Sequence, residues 1–186
     1  MSLYVKVFGD LTSIVEKLGK ERLPMSDVNK MKAVKVSGVF NTHNYESVND
    51  LFAVDAKIYT PEQERSGKVP LTWAQAAKTA REFDDCFDNA VSNTLYVLHE
   101  QSRANVIAVV WRWSGVFARQ LPAPYSSIKP TGKPISIVGI TEMIWNDNGQ
   151  ISDMGVTYDT EEVLRQLKGG APRWEIMMAA TSVMEL

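Results

Sequence analysis

The spacing of apolar residues changes from a helical period to a strand period between the two halves of the chain. In the first half, apolar residues recur three and four positions apart, which predicts helices. In the second half, long segments rich in Val, Ile, Trp and Tyr predict strands. Helices followed by a run of strands indicate an α+β fold, in which helices pack on one face of a curved antiparallel sheet.

Helices dominate the predictions for the first 60 residues. The spacing indicates one helix over 11–18 and a second after Pro24, whose apolar face we expect to hold Val28, Met31, Val34 and Val39. A polar break at 41–44 precedes a short helix over 45–52. The segment AVDAKIYTP, residues 53–61, then predicts the first strand.

A further helix is predicted after a loop bounded by two prolines. Thr72 and Gln75 have the spacing of a capping box, in which each side chain satisfies an amide of the first turn. The helix then carries an apolar stripe made of Trp73, Ala76, Ala77, Ala80, Phe83 and Phe87.

Long strands fill most of the second half. They are predicted over Ser92–Glu100, Val106–Phe117, Ile135–Asn146 and Gln150 to about Thr157. A short polar link joins the first two as an antiparallel hairpin, and Asn148-Gly149 is a strong hairpin turn signal before the last.

Asp159 lies where the last strand gives way to a helix that runs through Leu167. Asp159 and Glu162 have the spacing of a capping box, and a carboxylate there is stabilised by the helix dipole. Burial in an apolar cavity would instead disfavour the ionised carboxylate. Asp159 is therefore a candidate both for a helix cap and for the acid/base of an active site. One residue can have both roles, because a carboxylate has about four acceptor sites.

Composition excludes several classes of function. The formal net charge of −2, with no basic run, argues against a nucleic-acid partner. No apolar run approaches the roughly 18 residues that cross a bilayer, so we expect no membrane association. One cysteine and two histidines far apart argue against a metal site, and the absence of a Gly-rich phosphate loop argues against a nucleotide cofactor. The single cysteine fits a reducing, cytoplasmic location.

Several motifs together resemble the SnoaL-like polyketide-cyclase and ester-cyclase family, in the nuclear-transport-factor-like superfamily of α+β cones. They are FNTHNYESVNDLFAVDAKIY, VVWRWSGVF, KPTGKPISIVGITEMIWNDNGQIS and YDTEEVLRQL. The resemblance covers about residues 28–168. It implies a single domain over 1–186, with an N-terminal extension over 1–23 and an apolar tail over 169–186. It also implies a homodimer that associates through the open face of the sheet.

The resemblance further implies ring closure by intramolecular aldol condensation, without metal or cofactor. The family's acid/base aspartate matches Asp159. The histidine of its Gly-Thr-His element matches Phe117, which cannot transfer a proton. The specific cyclase reaction is therefore in question, whereas an isomerisation or a related proton transfer on an apolar, carbonyl-bearing metabolite fits the resemblance.

Further site residues are predicted from the alternation along the strands. Trp111, Trp113 and Phe117 share one face and could form an aromatic wall against an apolar ligand, or could be ordinary core. The remaining candidates are His99 as a second proton carrier, Glu142 as a charge on an apolar face, and Tyr96 as a hydroxyl donor. Two other hypotheses stay open, a non-catalytic binding protein and a structural dimer whose cavity is filled by its own side chains.

Overall fold

The computed structural model describes residues 25–61, 67, 69–99 and 105–171. The helix predicted over 11–18 and most of the apolar C-terminal tail lie outside these residues. The described elements are α1 (Met25–Thr42), a 3₁₀ helix (Tyr45–Leu51), β1 (Phe52–Tyr59), α2 (Trp73–Asp84), β2 (Phe87–His99), β3 (Val106–Phe117), β4 (Pro134–Trp145), β5 (Ile151–Tyr158) and α3 (Thr160–Leu167). None of the described helices is long and apolar enough to span a membrane.

The five strands form one sheet in the order β1-β5-β4-β3-β2, on which the helices pack. Strands β2 to β5 pair antiparallel with their neighbours, as the hairpin signals predict. The first strand, β1, pairs parallel with β5, so the sheet is mixed and the prediction of a wholly antiparallel sheet needs correction. No tight turn joins β1 to β5, and therefore no local signal fixes their relative direction.

Two local signals produce the predicted structure. The Thr72 hydroxyl accepts a hydrogen bond from the Gln75 amide, and the Thr72 amide donates to the side-chain oxygen of Gln75, which completes the capping box of α2. Between β4 and β5, Gly149 has φ +69° and its amide donates to the carbonyl of Asn146 at 2.9 Å. Glycine suits this turn because it adopts positive φ at no steric cost.

The boundary between α2 and β2 differs from the prediction. Phe87 belongs to β2 and pairs with Phe117, although its spacing continues the apolar stripe of the preceding helix. The helix ends at Asp84, and the strand begins at Phe87 instead of Ser92. Phe87 is buried in either arrangement, so the apolar pattern by itself could not separate them.

The buried face of α1 agrees with the prediction only at Val39. The residues that pack inward are Ala33, Val36 and Val39, accompanied by the buried polar side chains of Asn29 and Ser37. Val28, Met31 and Val34 are only partly buried. The apolar residues of α1 point in several directions around the helix axis, so its sequence does not define a single apolar face.

The interior has two apolar clusters. One lies between α1, the 3₁₀ helix, β1 and the sheet, and includes Tyr45, Trp73, Ile107 and Trp145. The other lies towards α3 and includes Phe87, Trp113, Phe117 and Leu167. Trp111 packs against both clusters. The candidate site lies at the C-terminal ends of α1 and α2.

Gly139 provides a test of this packing. It pairs with Trp111 across the sheet, and an added Cβ would lie 2.5 Å from Cη2 of that indole and 2.9 Å from the carbonyl oxygen of Thr157. We expect Gly139→Ala to lower the free energy of unfolding by about 1–3 kcal/mol, because neither the partly buried Trp111 ring nor the backbone of Thr157 can move freely. Urea unfolding measures this loss.

Gly155→Ala is the matched control for that substitution. It changes a glycine in the neighbouring strand, where an added Cβ meets nothing within 4 Å. Its expected effect is within about 0.5 kcal/mol. Equal losses in the two variants would contradict the tight packing of Trp111 on Gly139.

Candidate functional site

The two faces of the sheet separate the predicted site residues. Trp113 pairs with Ile137, and both are buried on the inner face. Arg112, between the two tryptophans, pairs with Val138 on the exposed outer face. Trp111, Trp113 and Phe117 therefore share the inner face, as their alternation predicts.

The predicted aromatic wall is packed by the protein's own side chains. Phe87 lies edge-on to Trp113 with ring centroids 4.7 Å apart, and its ring is 5.4 Å from that of Phe117. Phe83 also contacts Trp113 at 5.5 Å. Phe117 is 0% exposed. The described part of this wall is thus mainly core, which agrees with the more conservative interpretation of its sequence.

Asp159 is the N-cap of α3, and this half of its prediction is confirmed. Its Oδ1 accepts a hydrogen bond from the amide of Glu162 at 2.9 Å. The Glu162 carboxylate accepts from Arg165 at 2.7 and 2.9 Å and from Gln166 at 2.8 Å. Asp159 itself is exposed to solvent. A catalytic role for it stays a prediction.

The other three predicted residues lie apart from one another. His99 pairs with Ile107 on the inner face, and its Nε2 is buried without a hydrogen-bond partner among the described residues. Tyr96 and Glu142 are exposed on the outer face. The structure therefore does not bring Asp159, His99, Tyr96 and Glu142 together, and roles for them in binding or catalysis stay predictions.

A buried aspartate that the sequence analysis did not identify lies at the C-terminal end of α2. Asp84 is 5% exposed and is the only buried carboxylate among the described residues. The Tyr45 hydroxyl donates to its Oδ2 at 2.6 Å, and the Trp113 indole N–H donates to its Oδ1 at 3.1 Å. Nδ1 of His43 lies 3.7 Å from Oδ2. Three side chains from two separate parts of the chain thus converge on the Asp84 carboxylate.

Burial and hydrogen bonding act in opposite directions on Asp84. Burial raises the pKa of the Asp84 carboxyl, while the bonds from Tyr45 and Trp113 and the proximity of His43 lower it, and burial outweighs them. The pKa of Tyr45 is raised far above its ordinary value, first by burial and then by the bond to Asp84. The tyrosine therefore stays protonated and donates to the carboxylate.

A pocket of about 390 Å³ opens beside this cluster. Its lining comes from the turn after α1, the end of α2, the start of β2 and the segment after β3, and comprises His43, Asp84, Asp85, Phe87, Asn89, Ala90 and Arg119. The His43 side chain is 39% exposed. The pocket volume is at the lower end of the range of about 300–1,000 Å³ that is typical of small-molecule sites.

Arg119 shapes one side of this pocket and is already fully engaged. It forms an ion pair with Asp88, and its guanidinium also donates to the backbone carbonyls of Asp85 and Phe87. The amides of Ala118 and Arg119 both donate to the carbonyl of Cys86. These bonds hold the segment after β3 against the α2–β2 turn. The role of the Arg119 guanidinium here is therefore structural.

A larger cavity of about 580 Å³ lies between α1 and the edge strand β2. Its lining is mostly uncharged, and Asn41 pairs there with both backbone groups of Ser92 at 2.5 Å. Lys35 is its one ionisable side chain. Acid/base chemistry needs a titratable group positioned for proton transfer, and for that reason the smaller pocket beside Asp84 is the better candidate.

One sequence signal could have indicated Asp84. Asp84 and Asp85 lie at the C-terminal end of a helix, where the dipole disfavours carboxylates. Acidic residues in that position need a compensating reason. Tyr45 and Trp113 gave no such signal, because only the folded chain places their polar atoms beside Asp84.

Comparison with solved structures identifies the architecture. A protein from Jannaschia sp. CCS1, described as a SnoaL-like polyketide cyclase, has a TM-score of 0.64 and 15% identity over 82% of this chain and 100% of that one. AclR from Streptomyces galilaeus, described as a hydroxylase, has a TM-score of 0.60 and 13% identity over 87% and 95% of the two chains. IdmH from Streptomyces antibioticus, described as a polyketide cyclase, has a TM-score of 0.59 and 17% identity over 75% and 97%.

No protein-family model and no curated protein sequence matches the chain. The similarity is therefore one of three-dimensional structure, and the different activities given to these neighbours show that the architecture does not specify the reaction. Within that limit, the similar structures support the α+β architecture of the observed sheet. The chain has the SnoaL-like α+β cone fold that its sequence motifs predict.

Proposed function

We propose that the chain is an acid/base enzyme that acts on a small carbonyl compound, with Asp84 as the group that transfers the proton. The observation that carries this proposal is a buried carboxylate beside a pocket, held on both oxygens by Tyr45 and Trp113. Groups with perturbed pKa values in clefts are common at active sites. A raised pKa also makes a carboxylate a stronger base near neutral pH.

The proposed chemistry begins at the carbon next to a carbonyl group. Asp84 takes a proton from that carbon, and the electron pair of the C–H bond moves into a C=C bond as the carbonyl oxygen becomes an enolate. Where a C=C bond is conjugated with the enolate, return of the proton from Asp84 to the far carbon gives an isomer. Attack of the enolate carbon on a second carbonyl of the same molecule forms a C–C bond and closes a ring instead, and the alkoxide oxygen that results takes the proton from Asp84. Neither outcome changes the oxidation level of the substrate overall.

The architecture supports a carbonyl substrate. Two of the similar structures are described as polyketide cyclases, and polyketides carry the repeated carbonyl groups that such chemistry needs. Phe87 and Ala90 give the pocket an apolar part beside its polar groups. An apolar carbonyl-bearing metabolite, acted on without a cofactor, is the substrate class that we propose.

A solvent-exchange experiment tests this function without knowledge of the natural substrate. The full chain is incubated in D₂O with cyclohexanone or 2-tetralone, and loss of the α-proton signals is followed by NMR. Exchange above the buffer rate, removed by heat denaturation of the protein, is the expected result. Absence of exchange for both ketones, although the NMR titration described below shows that they bind, would oppose the proposal.

Binding without chemistry is the second candidate. Phe117 occupies the position of the family histidine and is fully buried against Phe87, so no proton-transferring group lies there. A pocket of this kind could hold an apolar ligand and leave it unchanged. Ligand-induced shifts in the protein spectrum without deuterium exchange would favour this function.

We also propose that the chain forms a homodimer through the outer face of the sheet. Four large apolar side chains of β2 and β4 are 37–51% exposed on this face, namely Tyr96, Leu98, Val138 and Ile140. Contiguous apolar residues on a sheet face are typical of interfaces between protein chains. The charged residues Arg112 and Glu142 lie among them, as expected for an isologous contact that joins unlike charges.

Light scattering with size-exclusion chromatography tests the dimer. The expected mass is about twice the 20.8 kDa of one chain. Ile140→Lys should shift the protein to the monomer because it buries a charge in the interface. Val54→Lys, at a fully exposed position of β1, is the matched control and should leave the mass unchanged. A monomeric wild-type chain would contradict this interface.

A further inference from the structure

Two residues that line the Asp84 pocket have an unusual backbone conformation. His43 has φ +53° and Asn89 has φ +54°, and these are the only non-glycine residues with positive φ in the described part of the chain. His43 follows α1, and Asn89 lies where the pairing of β2 with β3 shifts register. Both line the same 390 Å³ pocket, although they are far apart in the chain.

Positive φ favours glycine at both positions. A side chain in this region is strained by contact between Cβ and the backbone, and Asn and His are among the residues that tolerate it best. Such conformations cluster at ligand sites, where a side chain is needed at that place. The chain has a histidine and an asparagine, both able to donate a hydrogen bond, where glycine would fold with less strain.

The charges around the pocket restrict what it can bind. Asp84 and Asp85 contribute carboxyl groups, and the negative end of the α2 dipole points to the same place. Arg119, the one arginine of the lining, is bound to Asp88 and to two carbonyls. An anionic ligand would therefore meet like charge and no free guanidinium. An uncharged ligand meets no such penalty.

We propose that His43 and Asn89 orient the ligand by donating hydrogen bonds to its carbonyl oxygen, and that this ligand is an uncharged small ketone. The inference rests on the proposed function, because Asp84 would then act on the carbon next to the oriented carbonyl. His43 comes from the turn after α1 and Asn89 from β2, and both line the pocket together with the buried Asp84. Donors at the oxygen and a base at the neighbouring carbon are the two groups that enolisation needs.

Binding is measured by NMR on the full chain, with the Trp113 indole N–H as reporter because it donates to Asp84. The probes are 2-tetralone, cyclohexanone and the anionic 4-oxocyclohexanecarboxylate. We expect the neutral ketones to shift this signal and the anion to bind at least about tenfold more weakly, as a like-charge contact of ~1.4 kcal/mol would give. Equal binding of the anion, or no response to either neutral ketone, would overturn the inferred ligand class.

Glycine variants separate ligand orientation from a structural role. His43→Gly and Asn89→Gly should weaken ketone binding at least about tenfold, the effect of one lost hydrogen bond. Their melting temperature should stay the same or rise, because glycine relieves the strained backbone. Unchanged binding in both variants, or a fall in melting temperature that accompanies the lost binding, would refute the role of these residues.

Two further variants complete the design. His43→Asn tolerates the same backbone conformation and keeps a donor, so it should bind ketone better than His43→Gly. Asp84→Asn keeps a group of the same shape and should still bind ketone while losing exchange. If Asp84→Asn retained full exchange, the proposed function would fail while the assignment of His43 and Asn89 to ligand binding would stand.

Discussion

Replacing Asp84 with asparagine is expected to slow deuterium exchange of a bound ketone by about 10²–10⁴-fold, the usual contribution of a positioned general base. Asparagine has the shape of aspartate, and its one carbonyl oxygen can still accept from the Trp113 N–H while its NH2 group donates to the Tyr45 hydroxyl, which then accepts instead of donating. It cannot take a proton from carbon. The loss should therefore appear in the rate of exchange at saturating ketone and leave the dissociation constant nearly unchanged. NMR measures both quantities on the same samples.

Two control variants make this prediction specific. Asp85→Asn removes a carboxylate from the same pocket, one residue along the chain, but from an exposed position. Asp159→Asn removes the aspartate that the sequence motif matches to the family acid/base. We expect both variants to exchange at close to the wild-type rate. A large loss in Asp159→Asn together with normal activity in Asp84→Asn would restore the motif-based assignment.

Replacing Asp84 with alanine is expected to lower the free energy of unfolding by about 2–5 kcal/mol. The substitution leaves the Tyr45 hydroxyl and the Trp113 N–H buried beside a cavity without their acceptor. Each unsatisfied buried donor costs about 1–3 kcal/mol. Asp84→Asn should cost much less, because it preserves an acceptor and the volume. Urea unfolding at pH 5 compares the two variants, and similar losses in both would contradict the hydrogen-bond geometry.

The same carboxylate should make stability depend on pH. Burial raises the pKa of folded Asp84 above its ordinary value of 3.8. A raised pKa means that the folded state holds the proton more tightly than the unfolded state. The proton on Asp84 thus contributes its full stabilisation when the pH is below about 3.8, the ordinary pKa. This stabilisation is lost as the pH rises through the pKa of the folded state.

Asp84→Asn removes this titration and gives the matching measurement. The stability of Asp84→Asn relative to the wild type should increase as the pH rises from 4 towards neutrality. Unfolding curves of both proteins at four or five pH values test this prediction. If the stability of Asp84→Asn relative to the wild type fell as the pH rises, the hydrogen bonds to Asp84 would have a larger effect on its pKa than burial.

Together these expectations describe a site in which function and stability oppose each other. The bonds from Tyr45 and Trp113 hold the carboxylate in place, while burial makes its ionised form unfavourable. An enzyme accepts that cost where it needs a strong base. For a purely structural aspartate, the same cost of burial would bring no catalytic benefit.

The sequence predicted most elements of the fold because their signals are local. The Thr72–Gln75 capping box, the Asn148-Gly149 turn and the Asp159 cap each depend on residues within four positions of one another. The alternation that places Trp111, Trp113 and Phe117 on one face is equally local. Where two structures satisfied the same apolar pattern, as at Phe87 and on α1, the sequence did not decide between them.

The site residues were predicted less well, because local patterns do not show which environment a side chain has in the folded protein. Alternation grouped Glu142 with Ile140 and Ile144, but it could not say that this face is the outer one. A cap and an active-site acid have the same sequence signature at Asp159, and only its exposure distinguishes the environments. Asp84 was missed because a carboxylate in an amphipathic helix usually faces water.

The sequence by itself determined the α+β class and the order of most strands along the chain, since these follow from short-range periodicity and turn chemistry. The cone architecture was implied by the resemblance of its motifs to a known family. Only the tertiary structure decided where a carboxylate is buried and which residues surround it. Tyr45, Asp84 and Trp113 are separated by 39 and 29 positions in the chain. Their meeting depends on how α2 packs against β3, and desolvation exists only once that packing has formed.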